Sequence, residues 1–298
     1  VLLEGGASTY TRAQVGHGGY SAGTNAGAAA EMVNAAVTVT TATGGVILDA
    51  TQANNRGFAL AMIGNGGTGL AGAIRSGAFR GDIIVDGGTG NVELHSGNSG
   101  GSGAMIGNGG TSLSGNHSGN IRVSADGDLI MDLRASVTGN TFSRIGHGGV
   151  GSSNAGADLA MRGDLSGDIH VDVGGKAVLD ASGGQHTDNY VQIGHGGGRV
   201  SGNLSGDVTV LAGGDGIALT GGNGTGAYAQ IGHGGVDSVG NKSGAILVDG
   251  GSGGLSLTGG PADKAYALVG HGGVEADGFI DGRIDVAIGG DLAVEGGG

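Results

Sequence analysis

Residues 190–197 read Tyr-Val-Gln-Ile-Gly-His-Gly-Gly, and residues 228–235 repeat this word with a single change. Its last five positions (Val or Ile, Gly, His or Asn, Gly, Gly) occur seven times along the chain, at spacings of 38 to 48 residues. A period of this length is typical of a solenoid, a propeller or a linear array of repeats. The central position of the seven words is occupied by His17, Asn65, Asn108, His147, His195, His233 and His271.

Three apolar segments, which we name A, B and C, recur in this order, and segment C leads into each word. In one repeat they cover residues 208–210, 217–219 and 229–231, where apolar side chains alternate with polar or small ones. This period of two is typical of a half-buried strand, and turns rich in Gly, Asn, Asp and Ser separate the segments. The pattern predicts an all-β fold, a parallel β-helix (β-solenoid) with three short strands per repeat. About seven repeats form a single array over residues 1–298.

The composition excludes several other classes of protein. The chain has 298 residues, of which 76 are glycine, one is proline and none is cysteine. Collagen needs abundant proline, whereas disulfide scaffolds and cysteine-ligated zinc modules need cysteine. Glycine interrupts every apolar run well before the roughly 20 residues of a transmembrane helix. A net charge of -13 at pH 7 disfavours nucleic acid and anionic membrane surfaces as partners.

Segment C carries a distinct pattern on each of its two faces. The residue two positions before each centre is always Val or Ile, and we assign that face to the interior. The opposite face repeats Tyr190, Tyr228 and Tyr266 in one column and Gln192 and Gln230 in another. Stacked turns would place such residues in ladders with about 4.8 Å between neighbours. Repeated stacking of identical residues, Tyr on Tyr and Gln on Gln, therefore favours a solenoid over a closed globular fold.

The column of central residues is the main candidate for chemistry. Neutral histidine is a common transition-metal ligand, and the candidate ligands are His17, His147, His195, His233 and His271. Asn65 and Asn108 share the column, however, and asparagine is a poor ligand for such metals. Both residue types tolerate the positive φ of a glycine-flanked turn, and both can hydrogen-bond through the side chain. We interpret the column as structural turn residues, with incidental metal binding as the alternative.

Other motifs give little evidence of a site. Glycine words at Gly87 and Gly213 resemble half of a calcium-binding nonapeptide, but Val92 and Ala218 stand where that motif needs aspartate. Calcium is therefore an alternative, and we predict no cofactor. No repeat shows a distinct cluster of Asp, Glu, Lys and Arg, so we predict that the chain is not an enzyme. His95 and the other histidines outside the column are interpreted as surface residues.

Asparagine and aspartate recur just before segment A. Asn116, Asn203 and Asn241 each begin an Asn-x-Ser sequon, and Asp164 stands in the equivalent place. Because Asn and Asp share this column, we interpret it as a series of Asx turns rather than glycosylation sites.

The two ends of the chain fall at the same phase of the repeat. Residues 1–19 align without a gap on residues 255–273, and the last residues again reach segment B. Solenoids need terminal caps for solubility, and neither end resembles a polar cap. We expect an excerpt of a longer array, or a unit that associates end to end with copies of itself.

Glycine-rich, acidic, cysteine-free repeats with the word at 190–197 and 228–235 resemble the repeat regions of large bacterial surface proteins. The families concerned are the filamentous-haemagglutinin-like proteins and the autotransporter passengers. The resemblance implies a right-handed parallel β-helix, secreted to the cell surface, that serves as a stalk, adhesin or fibre. Its expected partners are its own copies and glycans or another cell surface, without membrane insertion. The alternative is a β-helix that binds or degrades polysaccharides.

Overall fold

The structure is a computed structural model that describes residues 1–21, 31–51, 57–68, 75–134, 138–150 and 161–298. These residues form strands and no helix, and the strands pair in parallel between successive turns of a solenoid. The predicted all-β, parallel β-helix architecture is thereby confirmed. A complete turn passes through the A, B and C strands and then through two further strands, which we name D and E.

The A and B strands arise from the alternating apolar segments. Their inward residues stand in register from turn to turn, as Val37, Ile83 and Ile121 illustrate. The A strands are Val37–Thr40, Ile83–Asp86, Ile121–Ala125, Ile169–Val173, Val208–Ala212, Ile246–Asp249 and Ile284–Ala287. The B strands are Leu2–Glu4, Val46–Asp49, Val92–His95, Leu129–Asp132, Ala177–Asp180, Ile217–Thr220, Leu255–Thr258 and Leu292–Glu295.

The C strands lead into the glycine words, and in five of the seven turns a D strand contains the two glycines that end the word. The C strands are Arg12–Val15, Leu60–Ile63, Gly103–Ile106, Phe142–Ile145, Tyr190–Ile193, Tyr228–Ile231 and Tyr266–Val269. The D strands are Gly18–Tyr20, Gly66–Thr68, Gly109–Thr111, Gly148–Val150 and Gly196–Gly198.

The E strands lie just before the A strands, in the segment whose length varies most between repeats. They are Glu31–Asn34, Ala78–Arg80, His117–Ser118, Leu165–Ser166, Leu204–Ser205, Lys242–Ser243 and Ile280–Asp281. Two small sheets complete the described strands: Arg75–Ser76 pairs with Leu113–Ser114, and Met161–Arg162 pairs with Val200–Ser201. The prediction of three strands per repeat therefore named the A, B and C strands and missed the D and E strands.

The main core lies between the inward faces of the A, B and C strands. Val85, Leu94 and Ile106, from one turn, are completely buried there. Complete burial of such a side chain stabilises a fold by roughly 1.5–3 kcal/mol, so the repeated columns supply the main driving force for folding.

A second core covers the other face of the C strands. Phe142, Tyr190 and Tyr228 are completely buried and pack with Val150 and Val236 from the segments after the glycine words. The expectation of half-buried C strands was therefore wrong. The D and E segments fold over the outer face of the C sheet, because aromatic rings repeated on that face provide apolar surface that must be covered.

Candidate functional site

The seven central residues of the glycine words lie at the corner that follows each C strand. The rings of His147, His195, His233 and His271 form a continuous stack, with 4.8 Å between successive ring centroids. The planes of the His147 and His195 rings differ by only 3°. This spacing is the ordinary distance between neighbouring strands, so one histidine stands above another in consecutive turns.

Both ring nitrogens of a column histidine form hydrogen bonds. The backbone N–H of His147 donates to Nδ1 of His195 at 3.0 Å, and Nε2 of His195 donates to the carbonyl oxygen of Gly167 at 2.7 Å. The first bond joins consecutive turns, whereas the second joins this corner to the corner between the E and A strands. Because Nδ1 accepts and Nε2 donates, the ring is held as the neutral Nε2–H tautomer. The same pairs of bonds occur at His233 and His271.

Asparagine makes the same two connections. Asn65 Oδ1 accepts from the backbone N–H of His17 at 3.0 Å, and Asn108 Oδ1 accepts from Asn65 at 2.9 Å. The amide nitrogen of Asn108 donates to the carbonyl oxygen of Gly81 at 2.9 Å. None of the seven central residues has a positive φ, whereas flanking glycines such as Gly196 do. The explanation through positive φ therefore holds for the glycines and is wrong for the central residues.

Burial keeps His147, His195 and His233 neutral. Desolvation lowers the pKa of His147 and of His233 to about 3, and it lowers the pKa of His195 well below the usual value. The bonds that Nε2 donates to backbone carbonyl groups oppose this effect and are the smaller influence. Protonation of Nδ1 would also break the hydrogen bond from the preceding turn.

The hydrogen bonds of these histidines occupy the ring nitrogens that a metal ion would need. A neutral imidazole offers one lone pair to a metal ion, and here that lone pair accepts the backbone N–H of the preceding turn. The described part of the chain contains no group of three or more His, Asp or Glu side chains arranged to hold a metal. At His147, His195, His233 and His271 a metal ion could bind Nδ1 only by displacing the hydrogen bond between turns, whereas His17 lies exposed at the end of the column.

The second core contains two further columns of polar side chains. Gln192 Nε2 donates to the carbonyl oxygens of Gly232 and Gly234 in the next turn, at 3.0 and 3.2 Å. Arg144 occupies the same column and is completely buried. Its Nη1 donates to the carbonyl oxygen of Gly196, but its Nε has no hydrogen-bond partner. Burial lowers the pKa of the Arg144 guanidinium.

The tyrosine column packs against the last glycine of its glycine words. The ring centroids of Tyr190 and Tyr228 lie 5.2 Å apart, and those of Tyr228 and Tyr266 lie 4.9 Å apart. A Cβ added at Gly235 would lie 2.4 Å from the hydroxyl of Tyr228. The same Cβ would lie 2.3 Å from the carbonyl oxygen of Gly197 in the preceding turn, so the close approach of both groups requires glycine here.

The Asn and Asp residues before the A strands form two exposed rows. In one row, Asn203 Oδ1 accepts from the backbone N–H of Asn241 at 3.1 Å. In the other, Asp168 Oδ1 accepts from Asp207 at 3.0 Å. These bonds join consecutive turns, so the interpretation as local Asx turns was wrong. The first row contains Asn116, Asp164, Asn203 and Asn241, and the second contains Asp82, Asn120, Asp168 and Asp207.

A cluster of ionisable side chains departs from the repeat on the outer face of the B sheet. His95 is only 5% exposed, so its interpretation as a surface residue was wrong. Its Nδ1 lies 2.9 Å from Asp132 Oδ1, and its Nε2 lies 3.1 Å from Glu93 Oε2. Arg134 Nε lies 3.1 Å from the same Asp132 oxygen. Alignment of the fourth position of the B strands, which places His95 between Asp49 and Asp132, was the signal that could have revealed this cluster.

No protein-family model, curated protein or solved structure matches this chain. Among the residues described above, no helix has the length and apolar character needed to cross a membrane.

Proposed function

We propose that this chain is a rigid, non-catalytic segment of an extracellular fibre, stalk or adhesin at a bacterial cell surface. The observation that carries the proposal is the uniformity of the hydrogen bonds between turns. In the central column each turn donates a backbone N–H to the side chain of the following turn, as from His195 to His233. Columns that repeat without a change of direction build a rod, and they leave the side chains on its surface free to vary.

The common direction of these hydrogen bonds also supports end-to-end association as the mode of assembly. The upper face of one turn matches the lower face of any other turn, and such a heterologous contact does not close on itself, so it produces an open filament. The last described turn exposes apolar residues of the core columns: Leu292 is 59% and Val294 is 67% exposed. A further turn of the same kind, from the same chain or from a second copy, would bury them.

Sedimentation of the isolated chain over a range of concentrations tests this mode of assembly. We expect association that increases with concentration and is abolished by Val294→Lys. Ile84→Lys is the matched control, because Ile84 is an exposed apolar residue on the outer face of an A strand. A chain that stays monomeric at every concentration, or equal effects of the two lysines, would contradict stacking between copies.

Antibody labelling of intact cells of the source organism tests the location and the fibre. We expect labelled filaments outside the cells by electron microscopy. Labelling that appears only after permeabilisation would contradict an extracellular role.

The second candidate is a polysaccharide-binding solenoid, and a groove on the B sheet favours it. The outward side chains Val178, Ala218 and Ser256 are small, and Lys176 and Asp215 border the depression they leave. A linear oligosaccharide could lie along this floor with its hydroxyl groups on the polar rim. A glycan-binding screen with the wild type and Ala218→Trp tests this candidate, because tryptophan would fill the groove. Equal binding by both proteins would exclude the groove as the site.

A further inference from the structure

The cluster around His95 stands apart from the rod-forming columns, because it contains the one histidine in the outward row of the B strands. The fourth positions of consecutive B strands carry Asp49, His95, Asp132 and Asp180, which are in register. Neighbouring strands are about 4.8 Å apart, so three carboxylates and one imidazole form a single row. We propose that protonated His95 is a pH-dependent staple that holds the surrounding B strands and the corner after them together.

The positions of the two carboxylates favour the imidazolium form. Nδ1 of His95 faces Asp132 Oδ1 at 2.9 Å, while Nε2 faces Glu93 Oε2 at 3.1 Å. Only a doubly protonated ring can donate to both carboxylates, because a neutral ring must turn one lone pair toward a negative oxygen. Asp49, on the preceding B strand, is the register partner of His95, and its Oδ1 accepts a hydrogen bond from the backbone N–H of Thr51 at 2.7 Å.

Arg134 opposes the proton on His95. Its Nη2 lies 3.1 Å from Nδ1 and 3.3 Å from Nε2 of the ring, and it can donate a hydrogen bond only to a deprotonated nitrogen. The Arg134 backbone N–H also donates to Ser96 Oγ at 3.3 Å, so the cluster reaches the corner that follows the B strand. Loss of one proton would therefore replace one of the two carboxylate bonds with a bond from Arg134 and weaken the link between the strands.

The electrostatic balance supports the same direction. Burial by itself lowers the pKa of His95, but the hydrogen bonds and charge of Asp132, together with the hydrogen bond of Glu93, outweigh it, and the pKa is raised above 6.5. A raised folded-state pKa means that the stabilising contribution is complete below pH 6.5. The contribution is lost as the pH rises through the folded-state pKa.

Hydrogen–deuterium exchange of the intact chain, corrected for the intrinsic pH dependence of exchange, tests the staple. We expect the amides of residues 93–102 to exchange at least three-fold faster at pH 8.5 than at pH 5.5 in the wild type. His95→Lys keeps a positive charge at both pH values and should remove this difference. His170→Gln is the matched control, because His170 lies on the outer face of an A strand outside the cluster, and it should leave the difference intact.

An NMR titration of the wild-type His95 ring gives an independent measurement that needs no folded variant. A midpoint above 6.5 together with the pH-dependent exchange supports the staple. A midpoint at or below 6.5 would overturn it, and so would equal exchange at the two pH values. Neither outcome bears on the proposed role as a rod, because the hydrogen bonds of the central column do not involve His95.

Discussion

The backbone N–H of His147 donates a 3.0 Å hydrogen bond to Nδ1 of His195 in the next turn, and the two rings stack at 4.8 Å. The backbone N–H of Gly196 in turn donates to the carbonyl oxygen of His147 at 3.1 Å. Consecutive turns are thus joined at this corner by one side-chain bond and one backbone bond. The column therefore requires a side chain that accepts a hydrogen bond from one turn and donates another across the solenoid. Histidine and asparagine both meet this requirement.

Replacing His195 with asparagine should change stability little. The amide can accept from the His147 N–H and donate to the Gly167 carbonyl, as Asn108 does in its own turn. His195→Leu removes both functions and leaves two buried backbone groups without partners, at about 1–3 kcal/mol each. Urea unfolding followed by circular dichroism measures the difference. A loss for His195→Asn as large as that for His195→Leu would show that the ring itself, and not its hydrogen bonds, is required.

Acid should destabilise the fold through the histidine column. The folded-state pKa of His147 and of His233 is about 3, below the value near 6.5 expected for the unfolded chain. The unfolded state therefore binds more protons, and the free energy of unfolding should fall as the pH drops from about 6.5 toward 3. Thermal unfolding at several pH values measures this slope, and His195→Asn should reduce it. A slope that is unchanged in the variant would assign the acid sensitivity to other groups.

Valine should be far more damaging at Gly196 than two residues later at Gly198. Gly196 has a φ of 122°, and an added Cβ would lie 2.3 Å from the carbonyl oxygen of Gly234. At Gly198 the nearest atoms to an added Cβ are 3.9 Å away, and the register partner in the preceding turn is Val150. We expect Gly196→Val to abolish folding or lower the thermal midpoint strongly, whereas Gly198→Val should leave it nearly unchanged. Similar midpoints for the two variants would contradict the close approach of the D strands.

Arg144→Gln should stabilise the chain. The buried guanidinium has no carboxylate within its hydrogen-bond network, and its Nε lacks a partner. A glutamine could donate to the glycine carbonyl oxygens of the next turn, as Gln192 does at Gly232 and Gly234. Because desolvation of a buried charge costs on the order of several kcal/mol, its replacement by a well-packed neutral side chain should raise the free energy of unfolding. Arg144→Met is the control for side-chain volume, because Met105 occupies the same column in the preceding turn. A lower urea midpoint for Arg144→Gln would show that the guanidinium makes a net favourable contribution to stability.

The sequence by itself determined the period, the A, B and C strands and their register. Alternating Val, Ile and Leu two residues apart identify an inward face, and a shift by one residue would expose every one of them. Residues such as Val85 and Val123 therefore had to stand above one another, and the structure pairs them. The ladders of His, Gln and Tyr followed from the same register, since one column fixes the others.

Only the tertiary structure decided what covers the outer face of the C sheet and what surrounds His95. The D strands consist largely of glycine and carry no alternating apolar pattern, so nothing in their sequence indicated that they would fold over Tyr190 and Tyr228. His95 and Asp132 are 37 residues apart in the chain and meet only because their B strands are paired. The alternation of apolar and polar residues shows which face of a strand is buried, because each strand carries this pattern in its own sequence. Which segment covers such a face, and which charges meet across two turns, depends on the closure of the whole turn.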